Sequence, residues 1–418
     1  MWRVGEYYNT VKVCPAIAFG KWGPNDCKQE GQSMLKVGQK EIDAVTEVIN
    51  NGTIFRYHKD SQCERFERRW AEYTNTKHVM LCSSGTAALT AALAGLEIGP
   101  GHEVVVPAHT YMATAIAVLS VGAIPIIVDV DESIMMDPDA LEAAIGPKTK
   151  AVIPVHMWGS LCDMDRILDI AKRHNLLVVE DACQCVGGFY GDRAAGSLGD
   201  AGAYSFNFFK NMTCGEGGAV ILRNDNERRR AQCMIDPCNF YWEGKEEDFK
   251  MFVNSGSRAS EIQGAMLNAQ FDRLPDLLST LRAQKEKILE ATTGIGLVPN
   301  PNNCPEGDCA VRLMYLFKTP EQAEQFAADV GGGILKNTGR HNFTDWEPIL
   351  NRRGSHHPML NAFDLPLNAD CRTHYDPDMC SKSLDILSRT VMIGLNPDDS
   401  PEEVDKRIET ICEAAKKL

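Results

Sequence analysis

The chain has 418 residues, of which 44% are hydrophobic and 24% are charged, and its formal net charge is −14. This length allows a large core and predicts two or three domains, while the negative charge argues against nucleic acid or an anionic membrane as a partner. The first residues, MWRVGEYYNTVKVC, contain no sustained apolar run of the kind that a signal peptide needs. We therefore expect a cytoplasmic protein with no nucleic-acid or membrane partner.

The fifteen cysteines are scattered along the chain without a repeated C-x-x-C. Without an export signal, this pattern indicates mostly reduced thiols. Cys304 with Cys309, or Cys233 with Cys238, could be imagined as metal ligands. Their spacing is not that of a zinc site and no histidine pattern follows, so we expect no metal.

The N-terminal part of the chain predicts an extension followed by two helices. Residues 1–33 show no clear period and are interpreted as the extension. From Gln39 apolar residues recur at helical spacing until Gly52, and a second helix is predicted at Ser61–Tyr73. The most apolar long stretch, Ala117–Val130, is shorter than the ~20 residues of a membrane span, and we interpret it as a helix end, a turn and a strand.

Strand-like and helix-like segments then alternate over about 150 residues. The apolar strand-like runs are at 78–84, 103–108, 124–130, 151–157, 176–182, 201–206 and 218–224. Helix-like segments lie between most of them, for example Ala87–Leu96 and Met164–His174. This alternation predicts an α/β fold with a mainly parallel sheet covered on both faces. Ligands bind at the carboxyl ends of the strands in such sheets, so the side chains there are the candidates for a site.

The C-terminal part predicts a second, smaller α/β unit. A long helical stretch runs from Arg258 towards Pro299. The later predicted elements are strands at 312–318 and 390–396 and helices at 321–330 and 402–416, with a loop-rich stretch at 342–385. The predicted organisation is an extension at 1–33, a large domain at 34–275 and a small domain at 276–418.

The segment LCSSGTAALTAAL follows the first strand with residues that suit the start of a helix. Ser83 and Ser84 are good N-cap residues, and Gly85 allows close approach of the backbone. The free N–H groups at a helix start, together with the Thr86 hydroxyl, form an anion site. The segment therefore indicates either phosphate binding or an ordinary capped helix.

Two carboxylates end the strand in VVEDACQ. A carboxylate at the end of an apolar strand costs free energy unless it is paired. Asp181 could cap the next helix, or it could be the partner of a cationic ring nitrogen in a ligand, and Glu180 precedes it.

Aromatic and histidine residues follow two further strands. Tyr111 could be a core residue or could stack on a flat ring. His109 is not assigned a role, and His156 is interpreted as a structural or supporting histidine rather than a base.

The stretch YSFNFFKNMTCGEGGAV places Lys210 between an aromatic run and a glycine-rich turn. A desolvated lysine amine has a lowered pKa and becomes a nucleophile for carbonyls. A phosphate site, a strand-end aspartate, a stacking aromatic ring and a lysine on separate loops of one sheet edge together describe a site for pyridoxal phosphate.

The sequence resembles the DegT/DnrJ/StrS family of fold-type I pyridoxal-phosphate sugar aminotransferases from about Leu35 to the C-terminus. The segments that carry the resemblance are SSGTAAL, GPGHEVVVPAHTYMATA, KTKAVIPVHMWG, VVEDACQ, GSLGDAGAYSFNFFKNMTCGEGGAV and RASEIQGA. The resemblance implies a large domain with a seven-stranded sheet, a smaller C-terminal α/β domain and a homodimer with active sites at the subunit interface.

The resemblance also implies a role for each matching residue. Lys210 is similar to the lysine that binds the cofactor covalently and moves the proton. Asp181 resembles the partner of the pyridine nitrogen, and Gln184 the group near the phenolic oxygen. Gly85, Thr86 and Ser205 resemble phosphate ligands, and Tyr111 resembles the ring-stacking residue.

One position departs from the family pattern. Members of the family carry an asparagine two positions before the arginine of R-x-x-E-I-Q, and it contacts the neighbouring subunit's phosphate. Gly256 occupies that position here, and Asn254 lies two residues earlier. We expect either that Asn254 serves instead or that the contact is made otherwise.

The resemblance implies transfer of an amino group from L-glutamate or L-glutamine to a keto- or aldehydo-sugar. The acceptors of relatives include sugar-nucleotide ketones, keto-inositols and octulosonates, and HNFTDWEPIL with RRGSHHPMLNAF resembles enzymes that make 8-amino-3,8-dideoxy-manno-octulosonate. Residues that could bind an acidic sugar, or be ordinary surface charges, are Arg340, His341, Arg352 and Arg353. Three alternatives remain. One is dehydration of a deoxysugar, which Lys210 disfavours because the dehydrating members of the family carry a histidine at this position, and another is a regulatory pyridoxal-phosphate protein. The third is a Rossmann dehydrogenase, which is disfavoured because its glycine motif does not follow any early strand of this sequence.

Overall fold

The structure, a computed structural model, describes residues 37–243, 249–254 and 256–418. The predicted extension at 1–33 lies outside the described residues. All described residues belong to one compact unit that begins at Met34. No helix in these ranges is long and apolar enough to cross a membrane.

A seven-stranded sheet forms the centre of the protein. Its strands are β1 (His78–Cys82), β2 (Glu103–Pro107), β3 (Ile124–Val128), β4 (Thr149–Val152), β5 (Leu177–Asp181), β8 (Ala201–Ser205) and β9 (Gly218–Leu222), and the short hairpin of β6 (Phe189–Tyr190) and β7 (Arg193–Ala194) lies outside it. The order is β1-β9-β8-β5-β4-β2-β3, and only the pairs made by β9 are antiparallel. The mainly parallel seven-stranded sheet predicted from the sequence is therefore confirmed.

The strands are the apolar runs because both faces of the sheet are covered. Every residue of β2, β3, β8 and β9 is buried, as expected for strands that have helices on both sides. The helices up to the end of this sheet are α1 (Gln39–Asn50), α2 (Gln62–Thr74), α3 (Gly85–Gly95), α4 (Ala113–Ser120), α5 (Pro138–Ala143), α6 (Met164–His174), α7 (Asp225–Ile235) and α8 (Phe240–Glu243).

Two helices lead to a second sheet. They are α9 (Glu261–Phe271) and α10 (Leu274–Ala291), where the sequence predicted one long helical stretch. The second sheet is antiparallel in the order β10-β12-β11, with β10 at Arg312–Leu316, β11 at Gly333–Ile334 and β12 at Thr390–Gly394. Its helices are α11 (Pro320–Val330) and α14 (Pro401–Ala415). The predicted domain boundary at residue 275 stays a prediction.

The stretch predicted to be loop-rich, 342–385, is mostly turns but contains helical pieces. These are α12 (Glu347–Leu350), the first residues of α13 (Ser381–Ser388) and several single 3-10 turns. The stretch is fixed because Phe343 and Trp346 are fully buried. The backbone N–H of Phe343 donates to the carbonyl of Ala108, just after β2, which brings this segment to the carboxyl edge of the large sheet.

Candidate active site

A cavity of about 500 Å³ lies at the carboxyl ends of the central strands. Seven of the eight predicted site residues line it: Gly85, Thr86, Tyr111, Asp181, Gln184, Ser205 and Lys210. They come from segments between residues 85 and 210, so only the fold brings them together. The volume lies in the range of cofactor and substrate pockets.

The start of α3 forms one wall of the cavity. Ser84 is the N-cap, and its hydroxyl accepts a hydrogen bond from the N–H of Ala87 over 3.1 Å. The N–H groups of Gly85 and Thr86 find no acceptor among the described residues. A Cβ atom on Gly85 would lie 2.8 Å from Ser205 Cβ, so glycine lets the helix start and the Ser205 hydroxyl approach each other. The arrangement suits an anion held by backbone N–H groups and hydroxyls.

Asp181 at the end of β5 is held from two sides. Its Oδ2 accepts from Thr114 Oγ1 over 2.8 Å, and its Oδ1 accepts from the N–H of Cys183 over 3.1 Å. A turn, not a helix, follows Asp181, which removes the helix-cap interpretation. The carboxylate is therefore directed into the cavity by the fold.

The neighbouring Glu180 points away from the cavity into a network of donors. It accepts from the N–H groups of Gly196, Leu198 and Gly199 and lies 2.9 Å from His156 Nε2. His156 Nδ1 accepts from the N–H of Cys162 in turn. Both side chains are fully buried, so the interpretation of His156 as a supporting histidine agrees with its contacts.

Lys210 follows β8 in the chain and lines the cavity. Burial lowers the pKa of its amine and Arg312 lowers it further, while the neighbouring Cys183 and Asp181 act against this shift. No hydrogen bond of Lys210 Nζ is found within the described ranges. A lysine with these surroundings is available as a neutral amine at a lower pH than an exposed one.

Aromatic residues from both halves of the chain form the mouth of the cavity. The ring of Tyr111 lies 5.4 Å from that of His341, which lies 4.7 Å from Trp158. The N–H groups of Thr110 and Met112 donate to the carbonyls of the C-terminal segment, which fixes it there. Burial and then the positive charges of Lys210 and Arg340 lower the pKa of His341 to about 4, against the carbonyl of its own turn.

His109, to which no role was assigned from the sequence, is buried and contacts Asn342 and Trp158. Its Nδ1 lies 2.9 Å from Asn342 Oδ1, and its Nε2 accepts from Trp158 Nε1 over 3.2 Å. Burial lowers the pKa of His109 to about 3, so the ring is neutral. His109 therefore joins β2 to the mouth of the cavity and does not line it.

Several predicted positions lie outside the cavity. Asn254 does not line it; its Nδ2 lies 2.8 Å from Met234 Sδ, and its expected role toward a neighbouring subunit stays a prediction. Arg353 pairs with Glu347, and Arg352 lies 4.0 Å from Asp364, so neither reaches the cavity, whereas Arg340 and His341 line it. Across the described ranges no three His, Cys, Asp or Glu residues form a metal cluster.

Trp158 and Arg312 are among the lining residues for which no role was predicted from the sequence. Trp158 has a left-handed backbone, with φ of 54°, in the 3-10 turn Met157–Gly159. Arg312 is the first residue of β10, and its guanidinium lies 5.8 Å from the Trp158 ring centroid. The only signal in the sequence was a charged residue at the start of an apolar strand, which is common at surfaces.

The donor set fits pyridoxal phosphate. The free N–H groups at the start of α3 with the nearby Ser205 hydroxyl suit the phosphate, the fixed carboxylate of Asp181 suits a protonated ring nitrogen, and the Lys210 amine suits a carbonyl. A Cβ atom at position 85 would occupy the space between the start of α3 and Ser205. The residues that would hold the group are therefore present on one cavity.

The chain is similar to known aminotransferases. The model of the DegT/DnrJ/EryC1/StrS aminotransferase family matches residues 36–328. GDP-perosamine synthase from Caulobacter vibrioides is 42% identical over 54% of this chain and 59% of its own. The dTDP-3-amino-3,4,6-trideoxy-alpha-D-glucose transaminase of Streptomyces venezuelae is 36% identical over 69% of this chain and 76% of its own.

A solved structure shows the same fold over most of the chain. The crystal structure of S. venezuelae DesV in complex with a ketimine intermediate superimposes with a TM-score of 0.70 and 26% identity, covering 90% of this chain and 95% of that one. In sequence, the chain spans between 49% and 62% of the length of three of the curated relatives that it matches.

Proposed function

The chain belongs to the DegT/DnrJ/EryC1/StrS aminotransferase family, whose cofactor is pyridoxal phosphate, and from that membership we propose that it moves an amino group from L-glutamate or L-glutamine to a keto- or aldehydo-sugar. The observation that carries the proposal is that Lys210, Asp181 and the start of α3 share one cavity. The proposed reaction is a step of amino-sugar biosynthesis.

The chain's own residues divide the work of the reaction between them. Gly85, Thr86 and Ser205 would hold the phosphate, and Tyr111 and Gln184 would contact the ring. When bound, the cofactor supplies a carbonyl that takes up the amino group and a ring that withdraws electrons.

Lys210 is the residue that we assign to proton transfer. Burial and the charge of Arg312 lower the pKa of its amine, so a larger share of it is neutral and able to accept a proton from the α-carbon of the donor. Asp181, held by Thr114 and by the N–H of Cys183, would be the partner of the ring nitrogen. The cavity walls orient the donor and the acceptor in turn.

The acceptor class is a sugar carbonyl. Two of the relatives are named for products or substrates linked to GDP and dTDP, and a third, from Streptomyces kanamyceticus, is named for 2-deoxy-scyllo-inosose. Sugar-nucleotide ketones and keto-inositols are therefore candidate acceptors. The octulosonate acceptor rests on the C-terminal segments HNFTDWEPIL and RRGSHHPMLNAF, of which the first supplies His341 to the cavity.

A homodimer is part of the proposal. The apolar side of α1 and the segment after it is exposed in the single chain, with Ile42 at 55%, Ile49 at 56% and Ile54 at 63%. An exposed apolar patch of this kind is typical of an interface. A second copy packed on this side would cover these side chains.

Two other activities stay as alternatives. Dehydration of a deoxysugar uses a histidine at the lysine position, and Lys210 argues against it. A regulatory protein that binds the cofactor without turnover is a different class, and one relative is named a pleiotropic regulatory protein, 35% identical over 62% of this chain. The Lys210, Asp181 and Ser205 set argues against this alternative as well.

The absorbance spectrum of the purified protein tests the proposal. We expect a yellow protein whose visible band disappears when L-glutamate or L-glutamine is added, with release of the corresponding oxoacid. Keto- and aldehydo-sugars are then added to the aminated form, and mass spectrometry identifies the one that gains the amine. A colourless protein that does not bind pyridoxal phosphate would overturn the proposal, and a yellow protein that transfers no amine would favour the regulatory alternative.

A further inference from the structure

One positive side chain of the cavity, Arg312, has no ligand assigned to it in the proposed reaction. Arg312 lines the cavity and is only partly exposed to solvent. In the ranges that the structure describes, no carboxylate lies within ion-pair distance of its guanidinium. Burial lowers the pKa of Arg312, and no opposite charge acts against this shift. A buried cation without an opposite charge beside it costs free energy, which the binding of an anion offsets.

The guanidinium is held in place without using most of its donors. Nη1 donates to the carbonyl of Val311 over 3.0 Å, and the Trp158 ring lies 5.8 Å away. Gly394 stands opposite Arg312 in the sheet, and a Cβ atom there would lie 3.2 Å from Nη1. A guanidinium has five N–H donors in a rigid fork, so the others can contact a ligand in the cavity.

The other charges of the cavity leave an excess of positive charge. Lys210, Arg312 and Arg340 line it, and the guanidinium of Arg340 lies 5.5 Å from the Tyr111 ring at the mouth. The carboxylate of Asp181 is engaged by Thr114 and the N–H of Cys183. The one other carboxylate of the lining is that of Glu216, an exposed residue.

We propose that Arg312 binds a carboxylate of the substrate, and so selects acidic molecules for this cavity. The proposal rests on the proposed function, since it concerns the substrate of that same site. The planar fork of an arginine pairs with both oxygens of a carboxylate, which a lysine cannot do. The start of α3 is a separate anion site on the same cavity, so the cofactor's phosphate does not need Arg312.

The carboxylate can come from the amino donor or from an acidic sugar. Binding of two unreactive or slow probes separates the sources: glutarate stands for the donor, and D-glucuronate, with D-glucose as its neutral counterpart, stands for the acceptor. Calorimetry of the holoenzyme measures the affinity for each probe in the wild type and in Arg312→Gln. A charge-assisted bidentate contact predicts a loss of about 10- to 100-fold for the probe that Arg312 binds.

The two arms identify the source. A loss for glutarate, with a matching rise in the L-glutamate concentration needed for half of the spectral change, assigns Arg312 to the donor. A loss for D-glucuronate with no change for glutarate or D-glucose assigns it to the acceptor. Arg312→Lys keeps the charge without the fork and should recover only part of the affinity.

Controls keep the inference separate from the proposed function. Arg353→Gln removes one positive charge from an exposed residue outside the cavity and should leave both affinities unchanged. Circular dichroism checks that the Arg312→Gln protein is folded. If it is folded and binds every probe with the same affinity as the wild type, the inference is overturned. The same holds if neither protein binds any probe. The spectral change of the wild type with L-glutamate tests amino transfer itself and does not depend on this result.

Discussion

Thr114 Oγ1 donates a hydrogen bond to Asp181 Oδ2 over 2.8 Å and so ties the first turn of α4 to the end of β5. With the N–H of Cys183 on the other oxygen, the carboxylate has one fixed direction. A group whose orientation is set before the ligand binds needs no rearrangement during the reaction.

Asp181→Asn should slow the reaction with L-glutamate by about 100-fold or more, because the amide keeps the size of the side chain but loses its charge. Thr114→Val should slow the reaction less, by about 10-fold. Thr114→Ser should react at the wild-type rate because serine keeps the hydroxyl. Stopped-flow absorbance of the cofactor band measures all three. A rate for Asp181→Asn within twofold of the wild type would remove Asp181 from the proposed site.

Lys210→Ala should abolish multiple-turnover amino transfer, because no other lysine lines the cavity in the described part of the chain. The protein should still bind the cofactor through the remaining contacts, but more weakly. Lys318→Ala, at an exposed position outside the cavity, is the matched control and should keep full activity. A coupled assay of the oxoacid measures the turnover. Substantial turnover by Lys210→Ala would contradict the assignment of Lys210 to proton transfer.

The main elements of the fold could be predicted because each one has a recognisable pattern of apolar residues within a short segment of the sequence. Buried parallel strands such as β2 and β3 are continuous apolar runs, and α6 shows the helical period over its whole length. The hairpin of β6 and β7 has two residues in each strand, too few for a pattern. The start of α13 was interpreted as loop because the residues before it are rich in proline and aspartate.

Most of the site could be predicted because its residues follow strands of the large sheet, whereas Arg340 and His341 were candidates only for binding an acidic sugar. Lys210 and Asp181 come directly after apolar runs, so topology places them at one edge. Arg312 and His341 are distant in sequence from the strands of the large sheet. Their positions depend on the backbone contact between Thr110 and His341 and on the absence of a side chain at Gly394, and no short segment encodes such contacts.

Gly218→Ala should weaken cofactor binding and lower the melting temperature together. A Cβ atom at Gly218 would overlap the backbone of Ser84, the N-cap of α3, and so displace the start of that helix. Gly333→Ala is the control, since an added Cβ meets nothing within 4 Å and the backbone is not left-handed. Titration of the apoprotein with pyridoxal phosphate should show a loss of about 10-fold for Gly218→Ala alone. Unchanged affinity would mean that α3 does not hold the phosphate.

The buried His109 should make the protein less stable as the pH falls. Burial lowers its pKa to about 3, whereas in the unfolded chain it is about 6.5. Above about pH 6.5 neither state binds the proton and the full stability is present; below it the unfolded chain takes up a proton that the folded one does not, until about pH 3. Between pH 7 and pH 5 this costs about 2 kcal/mol.

His109→Gln should therefore lose less stability than the wild type when the pH is lowered from 7 to 5, although it is less stable at pH 7 because the contacts with Asn342 and Trp158 change. Urea unfolding at the two pH values measures the difference. His374→Gln, at an exposed position, should follow the wild type. An identical pH-dependent loss in His109→Gln and the wild type would contradict the prediction.

Gly394→Ala should change acid binding without changing the charge or the fold. A new Cβ would lie 3.2 Å from Arg312 Nη1, which is closer than most real contacts, and the end of a flexible side chain can move away at low cost. The backbone at Gly394 does not have positive φ, so alanine adds no strain there. The guanidinium would shift by a few tenths of an ångström, and its fork would meet a carboxylate less well.

We expect the affinity for the carboxylate probe that Arg312 binds to fall about three- to tenfold in Gly394→Ala, less than in Arg312→Gln, while the melting temperature stays within about 2 °C of the wild type. Gly333→Ala, in the same three-stranded sheet but with open space around it, should bind the probe as the wild type does. Calorimetry and thermal unfolding of the three proteins measure both quantities. Full affinity in Gly394→Ala together with a loss in Arg312→Gln would mean that the charge of Arg312, rather than the direction of its fork, selects the acid.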